Sequence, residues 1–79
     1  MYRPGELVYT IDGYGPFEIL DVLLANDYPD DPEATEDLIV VKKHRTYPAY
    51  NRMDQWERDF TAMWGIKRIT KTPQLKLEL

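Results

Sequence analysis

Three stretches of the chain have the hydrophobic pattern of β-strands. Residues 5–11 alternate between two faces, which is the two-residue period of a strand. Residues 17–25 are apolar at seven of nine positions and fit either a buried strand or a short buried helix; the Gly-Pro break just before them favours a strand. Residues 38–42 form a compact β-branched run, which predicts a third strand.

One stretch has a helical period instead. Its apolar residues are Met53, Trp56, Phe60, Met63 and Trp64. At about 100° per residue these positions gather into one stripe. Asp54 has the form of an N-cap with Glu57 three residues later, and Gly65 stands where a left-handed C-cap glycine is expected. The pattern predicts an amphipathic helix at 54–64.

The aromatic residues of this predicted helix have two possible roles. Because a small domain needs its largest apolar side chains for its core, we expect Trp56, Phe60, Met63 and Trp64 to dock the helix onto the sheet. The alternative applies to a tryptophan that proves exposed. Tryptophan is enriched at protein-binding hot spots, so an exposed one would be the leading candidate for a contact with a partner protein.

Turns and loops separate these elements. Residues 12–16 combine a turn dipeptide with Gly-Pro and predict a change of chain direction. Residues 26–37 contain two prolines and six acidic residues without a base, which predicts a solvated loop. Residues 66–70 suggest a short strand, and the alternating leucines of 75–79 suggest a final edge strand. The expected fold is α+β: a small bent antiparallel sheet, or an SH3-like barrel, of four to five strands with one helix.

The composition narrows the class of protein further. The 79 residues suffice for one domain, 1–79, and 43% of them are hydrophobic, which is enough to form a core. The chain has no cysteine, so it has no disulfides, and we expect a cytoplasmic location. No apolar run approaches the roughly 20 residues that span a bilayer, and we expect no membrane partner.

Catalytic motifs are few. The Gly13-Tyr14-Gly15 sequence lacks the further residues of a dinucleotide or phosphate loop, so it is interpreted as a turn. His44 is the only histidine, and the chain has neither serine nor cysteine to act as a nucleophile. We therefore expect a non-enzymatic protein without a cofactor. An enzyme would need carboxylates from Asp12, Asp21 and the acidic loop to converge.

Charge is distributed unevenly along the chain. Residues 1–37 contain ten acidic groups and one basic group, whereas residues 38–79 contain four acidic and nine basic groups. Such asymmetry can mark an interaction surface of one sign, although adjacent strands from the two halves could also cancel it.

The acidic loop is the first candidate site. Its carboxylates lack the spacing of a calcium loop and could simply keep the loop solvated. They could also imitate the phosphates of nucleic acid and bind the basic groove of an enzyme. The predicted partner-binding residues of this acidic face are Asp27, Asp30, Asp31, Glu33, Glu36 and Asp37.

A basic and aromatic segment is the second candidate site. Cations can contact phosphates and aromatic rings can stack on bases, so the segment suits nucleic acid. Lysines at a strand edge also prevent edge-to-edge aggregation, which is the structural alternative. The predicted nucleic-acid-binding residues are Lys42, Lys43, Arg45, Tyr47, Tyr50 and Arg52.

Residues 17–22, 38–42 and 52–60 follow a turn and hydrophobic pattern that resembles the small SH3-like barrels of bacterial and phage proteins, including a domain family of unknown function. The resemblance covers residues 5–64, and the acidic loop and the leucine-alternating tail depart from it. It implies a barrel that binds a peptide, RNA or a partner enzyme. No functional residue is implied, because one fold hosts many functions.

Two hypotheses about function result. The first is a non-enzymatic protein-binding module, such as a phage-encoded modulator or inhibitor of a host enzyme, that acts through the acidic face. The second is an RNA- or DNA-binding module that uses the basic and aromatic surface, with an affinity that falls steeply as salt rises.

Overall fold

A five-stranded antiparallel sheet forms the body of the protein in a computed structural model, which describes residues 2–27, 30 and 36–72. The spatial order of the strands is β4-β3-β2-β1-β5. Their bounds are Leu7–Thr10 for β1, Phe17–Leu23 for β2, Leu38–Lys43 for β3, Thr61–Gly65 for β4 and Ile69–Thr70 for β5. One short helix, α1, spans Gln55–Asp59. The α+β class and the three predicted strands are confirmed.

The core lies on one face of this sheet. Its buried side chains are Val8, Phe17, Ile19, Ile39, Val41 and Ile69. They come from four different strands, because antiparallel pairing aligns inward-facing positions across the sheet. Phe17, for example, lies beside Val8 in one direction and Lys43 in the other. A register shift between Ile19 and Asp21 interrupts the pairing of β2 with β3.

The two halves of strand β1 pair with different strands. Leu7 and Val8 pair with β2, whereas Tyr9 and Thr10 pair with β5. The predicted turn after β1 is confirmed, since the amide of Gly13 donates to the carbonyl of Thr10 at 3.0 Å. Gly15 has a φ of 143°, and a Cβ there would lie 2.7 Å from the Tyr9 ring. The chain therefore needs glycine at this position to pass the ring.

The predicted helix at 54–64 is correct at its start and wrong at its end. The carboxylate of Asp54 accepts a hydrogen bond from the amide of Glu57 at 2.9 Å, which confirms the N-cap. The helix ends at Asp59, and residues 61–65 form strand β4 instead. Pairing with β3 overrides the helical period, because every residue of β4 lies opposite a residue of β3.

Gly65 is not the expected left-handed cap. Its φ is −71°, and it is the last residue of β4. A Cβ at this position would meet the carboxylate of Glu36, the end of a flexible side chain, so a larger residue here would displace that carboxylate. The short strand expected at 66–70 is confined to Ile69–Thr70, since Ile66–Arg68 form a 3₁₀ turn. The predicted edge strand at 75–79 lies outside the described residues.

The side chains predicted to dock the helix do not all reach the core. Trp56, Phe60 and Met63 are 72%, 50% and 56% exposed. Only Trp64 of the four packs against the buried cluster, on the same inward-facing side of β4 as Ala62. The expectation that Trp56, Phe60 and Met63 are core residues is therefore wrong. Trp56 lies on a helix of fewer than two turns, Phe60 follows the end of that helix, and Met63 lies on the face of β4 opposite to that of Trp64.

The cap of α1 offers a test of the fold. Replacing Asp54 by alanine removes the acceptor for the Glu57 amide, and we expect a loss of about 1 kcal/mol in the free energy of unfolding, measured by urea denaturation. The Asp54→Asn control keeps an acceptor and should lose much less. Equal losses in the two variants would contradict the capping role.

Candidate functional site

The segment after β3 folds into consecutive tight turns. The amide of Tyr47 donates to the carbonyl of His44 at 2.8 Å, and the amide of Tyr50 donates to that of Tyr47 at 2.9 Å. Ala49 has a φ of 63°, in the left-handed region, and precedes a 3₁₀ turn at Tyr50–Arg52. The segment is therefore wound into a compact loop.

Helix α1 holds these turns in place through Arg58. The guanidinium Nε donates to the carbonyl of Tyr50 at 3.1 Å, and one terminal nitrogen donates to the carbonyl of Asn51 at 3.2 Å. The same guanidinium lies 5.0 Å from the centroid of the Tyr50 ring. The charged guanidinium thus donates two hydrogen bonds to backbone carbonyls of the loop, and these bonds fix the loop relative to the helix.

The turns enclose a concavity of about 480 Å³, called here the loop concavity. It is lined by Arg45, Thr46, Tyr47, Ala49, Tyr50, Asn51 and Arg52. Four of the six residues predicted to bind nucleic acid therefore lie around one space. Two of these four are cations and two are aromatic.

A smaller cleft of about 190 Å³ adjoins it, called here the aromatic cleft. It is lined by Phe17, Val41, Lys42, Lys43, Tyr47, Phe60, Ala62 and Trp64. The Phe17 ring lies 5.3 Å from the Tyr47 ring and 4.8 Å from the Trp64 ring, centroid to centroid. Tyr47 lines both the cleft and the loop concavity, so the two spaces are neighbours.

The remaining two predicted residues, Lys42 and Lys43, line the aromatic cleft. The ammonium of Lys43 lies 5.7 Å from the centroid of the Tyr47 ring, which is a cation–π arrangement. The structure thus brings all six predicted residues of the basic and aromatic surface to two adjoining spaces. Among the described residues that line them there are four cations and no carboxylate.

An exposed aromatic pair lies at the rim. The Trp56 and Phe60 ring centroids are 5.4 Å apart, and Phe60 also lines the aromatic cleft. Trp56 is 72% exposed, so the alternative expected for an exposed tryptophan applies to it. A side chain of this size adds little to the stability of the fold when most of it remains in water.

The predicted acidic face is divided by the structure. Asp27 and Asp30 are exposed, whereas Asp31 and Glu33 lie outside the described residues. The carboxylate of Asp37 accepts a hydrogen bond from the amide of Ala25 at 2.8 Å. Glu36 packs against Gly65, and its Oε2 is shielded from water without a hydrogen-bond partner in the described part of the chain. Two of the four described acids therefore have contacts within the fold.

The single histidine, metal ligands and membrane-spanning helices were also considered as the basis of a function. The Nδ1 of His44 lies 2.8 Å from the hydroxyl of Thr46, which is a local contact. Within residues 2–27, 30 and 36–72, no three histidine or carboxylate side chains come together as metal ligands would. No helix in the same residues has the length and apolar character needed to cross a membrane.

Comparison of the chain with known protein families, with curated proteins and with solved structures finds no match. The assignment of a function therefore rests on the geometry of these residues.

Three aromatic residues that line the aromatic cleft were not predicted as site residues: Phe17, Phe60 and Trp64. A signal for two of them is present in the sequence. Phe60, Ala62 and Trp64 alternate with Thr61 and Met63, which is the period of a strand that places the two large rings on one face. The helical stripe at 53–64 obscured this alternation.

The two tryptophans should differ in their contribution to stability. Replacing Trp64 by alanine removes the ring that packs on Phe17, and we expect a loss of about 3 kcal/mol in the free energy of unfolding. Replacing the exposed Trp56 by alanine should change it by about 0.5 kcal/mol. Urea denaturation of both variants checks this; a larger loss for Trp56→Ala would contradict the surface position of that ring.

Proposed function

We propose that this protein is a non-enzymatic binding module that holds single-stranded RNA or DNA at the loop concavity and the aromatic cleft. The observation that supports the proposal is the convergence of Lys42, Lys43, Arg45, Tyr47, Tyr50 and Arg52 on two spaces that share one wall.

The chemistry of the lining suits a nucleic-acid strand. Arginine and lysine neutralise phosphates and release their counterions, while aromatic faces stack on bases. Aromatic side chains need bases whose faces are accessible, and in a duplex these faces are covered by the neighbouring base pairs. A single strand is therefore the favoured form.

Local charge matters more than net charge for this proposal. The chain as a whole has a net charge of −4, which disfavours nucleic acid at long range. At physiological salt, charges separated by more than about 8 Å are largely screened. Arg45 and Arg52, which line the loop concavity without a carboxylate in that lining, then dominate the potential that a phosphate bound there experiences.

The proposal includes an SH3-like barrel as the finer description of the fold. Support comes from strand β1, which exchanges one neighbour for the other between Val8 and Tyr9. Support also comes from the bulge at Leu20 in β2, since bulges increase the local bend of a sheet. The open sheet with edges β4 and β5 is the architecture described above, and closure into a barrel goes beyond it.

A charge-matched pair of double variants tests the nucleic-acid proposal. Replacing Arg45 and Arg52 by glutamine removes two cations from the loop concavity. We expect the affinity for a fluorescent single-stranded oligonucleotide to fall about tenfold at low salt, since each exposed ion pair contributes up to ~1 kcal/mol. The dependence of log affinity on log salt should become shallower by about two units.

The control for this experiment replaces Arg3 and Lys67 by glutamine as well. Both residues are exposed and lie outside both spaces. The net charge changes by the same amount, so a general electrostatic effect would weaken both double variants equally. Fluorescence anisotropy with single-stranded RNA and DNA distinguishes the two results. Equal losses, or no binding by the unmodified protein, would reject the proposal.

Protein binding is the second candidate, and the exposed Trp56–Phe60 pair favours it. In this case the chain would be a partner-binding module, such as a phage-encoded modulator or inhibitor of a host enzyme in the cytoplasm. The exposed carboxylates of Asp27 and Asp30 would supply the acidic face, as a mimic of nucleic acid.

The two candidates differ in an affinity pull-down from nuclease-treated bacterial lysate. Under the second candidate one protein is recovered in stoichiometric amount, and it is lost when Trp56 and Phe60 become alanine or when Asp27 and Asp30 become asparagine. Under the first candidate no such protein is recovered, and the two asparagine replacements strengthen nucleic-acid binding by removing negative charge.

A further inference from the structure

A third concavity, of about 320 Å³, lies beside the turn that follows β1 and is called here the turn concavity. It is lined by Thr10, Ile11, Asp12, Trp64 and Arg68. The amide of Ile11 donates to the carbonyl of Arg68 at 3.0 Å, and Thr10 pairs with Ile69 in the sheet. These backbone contacts hold the turn against the 3₁₀ segment, so both walls of the concavity are fixed.

Shared aromatic residues connect the three spaces. Tyr47 lines both the loop concavity and the aromatic cleft, and Trp64 lines both the aromatic cleft and the turn concavity. Tyr47 therefore borders the first two spaces, and Trp64 borders the aromatic cleft and the turn concavity.

Each space also has its own positive charge. Arg45 and Arg52 line the first, Lys42 and Lys43 the second, and Arg68 the third. A repeating combination of ring and cation matches the repeating combination of base and phosphate along a nucleic-acid strand. The charge complementarity favours an extended anionic occupant over an apolar one.

We infer that the three spaces form one continuous track for an extended single strand, with Arg68 as the phosphate contact at its far end. The inference rests on the proposed function and deepens it: the ligand must be long enough to pass both Tyr47 and Trp64. A strand that fills only the loop concavity and the aromatic cleft does not reach Arg68.

The far end of the track should contribute less affinity than the loop end. Asp12 lines the turn concavity together with Arg68, so the formal charge of that lining is balanced, whereas the lining of the loop concavity has two cations and no carboxylate. A phosphate at Arg68 therefore gains less from the local potential than one between Arg45 and Arg52.

Neighbouring residues of the 3₁₀ turn provide a matched pair of variants. Arg68→Gln removes the proposed phosphate contact, and Lys67→Gln removes one charge from an exposed residue that lines none of the three spaces. The Arg68 contact with Ile11 uses the backbone carbonyl, so either replacement leaves it in place. A thermal melt of each variant confirms that the fold is retained.

The experiment measures fluorescence anisotropy with oligouridylates of about 12 and about 4 nucleotides, which fall within the range of site sizes of small single-strand-binding domains. We expect Arg68→Gln to weaken binding of the long oligonucleotide about threefold and to reduce its salt slope by about one unit. Binding of the short one should stay unchanged, and Lys67→Gln should resemble the unmodified protein with both.

The outcomes separate the inference from the proposed function. If Arg68→Gln matches Lys67→Gln on the long oligonucleotide while Arg45→Gln/Arg52→Gln still loses affinity, the track is wrong and the proposed function stands. Binding of a duplex of equal length as tightly as the single strand would also overturn the track. If the unmodified protein binds no oligonucleotide, both the inference and the proposed function are rejected.

Discussion

The packing of the Phe17 ring joins the core to the candidate site. This ring is 8% exposed, and it contacts the rings of Tyr47 and Trp64 from two different parts of the chain. Strand β2 supplies Phe17, the turns after β3 supply Tyr47, and β4 supplies Trp64. Because aromatic pairs add stability beyond their buried area, the same contacts that hold the sheet together also set the walls of the aromatic cleft.

The sequence predicted the start of α1 better than its end, for a physical reason. An N-cap is a local interaction, and Asp54 meets Glu57 within one turn wherever the helix packs. The conversion of residues 61–65 into β4 depends on pairing with β3, which lies about twenty residues earlier in the chain. The helical period depends only on neighbouring residues along the sequence, whereas strand pairing depends on residues far away in it. The predicted helix therefore included residues 61–65, which pair with β3.

Charge patterning predicted the site in part. Adjacent strands do bring the acidic and basic halves together, as Glu18 of β2 lies opposite Lys42 of β3. Arg45 and Arg52 nevertheless line one concavity, because consecutive tight turns wind the chain between them, whereas Lys42 and Lys43 belong to β3 and line the adjoining cleft. That convergence of Lys42 through Arg52 follows from proximity in sequence and was predictable, whereas the contribution of Phe17 and Trp64 required the order of the sheet.

Trp56 and Phe60 form an exposed aromatic pair at the edge of the candidate site. A chain of 79 residues has a small core, here six buried side chains among the described residues, and an aromatic side chain placed in water contributes little to it. Trp56 nevertheless lies against Phe60, which lines the cleft below. Exposed aromatic rings beside a cleft gain stability when a ligand covers them, since the apolar area removed from water then increases. A ligand that covered this pair would therefore bury apolar area that the free protein leaves in water.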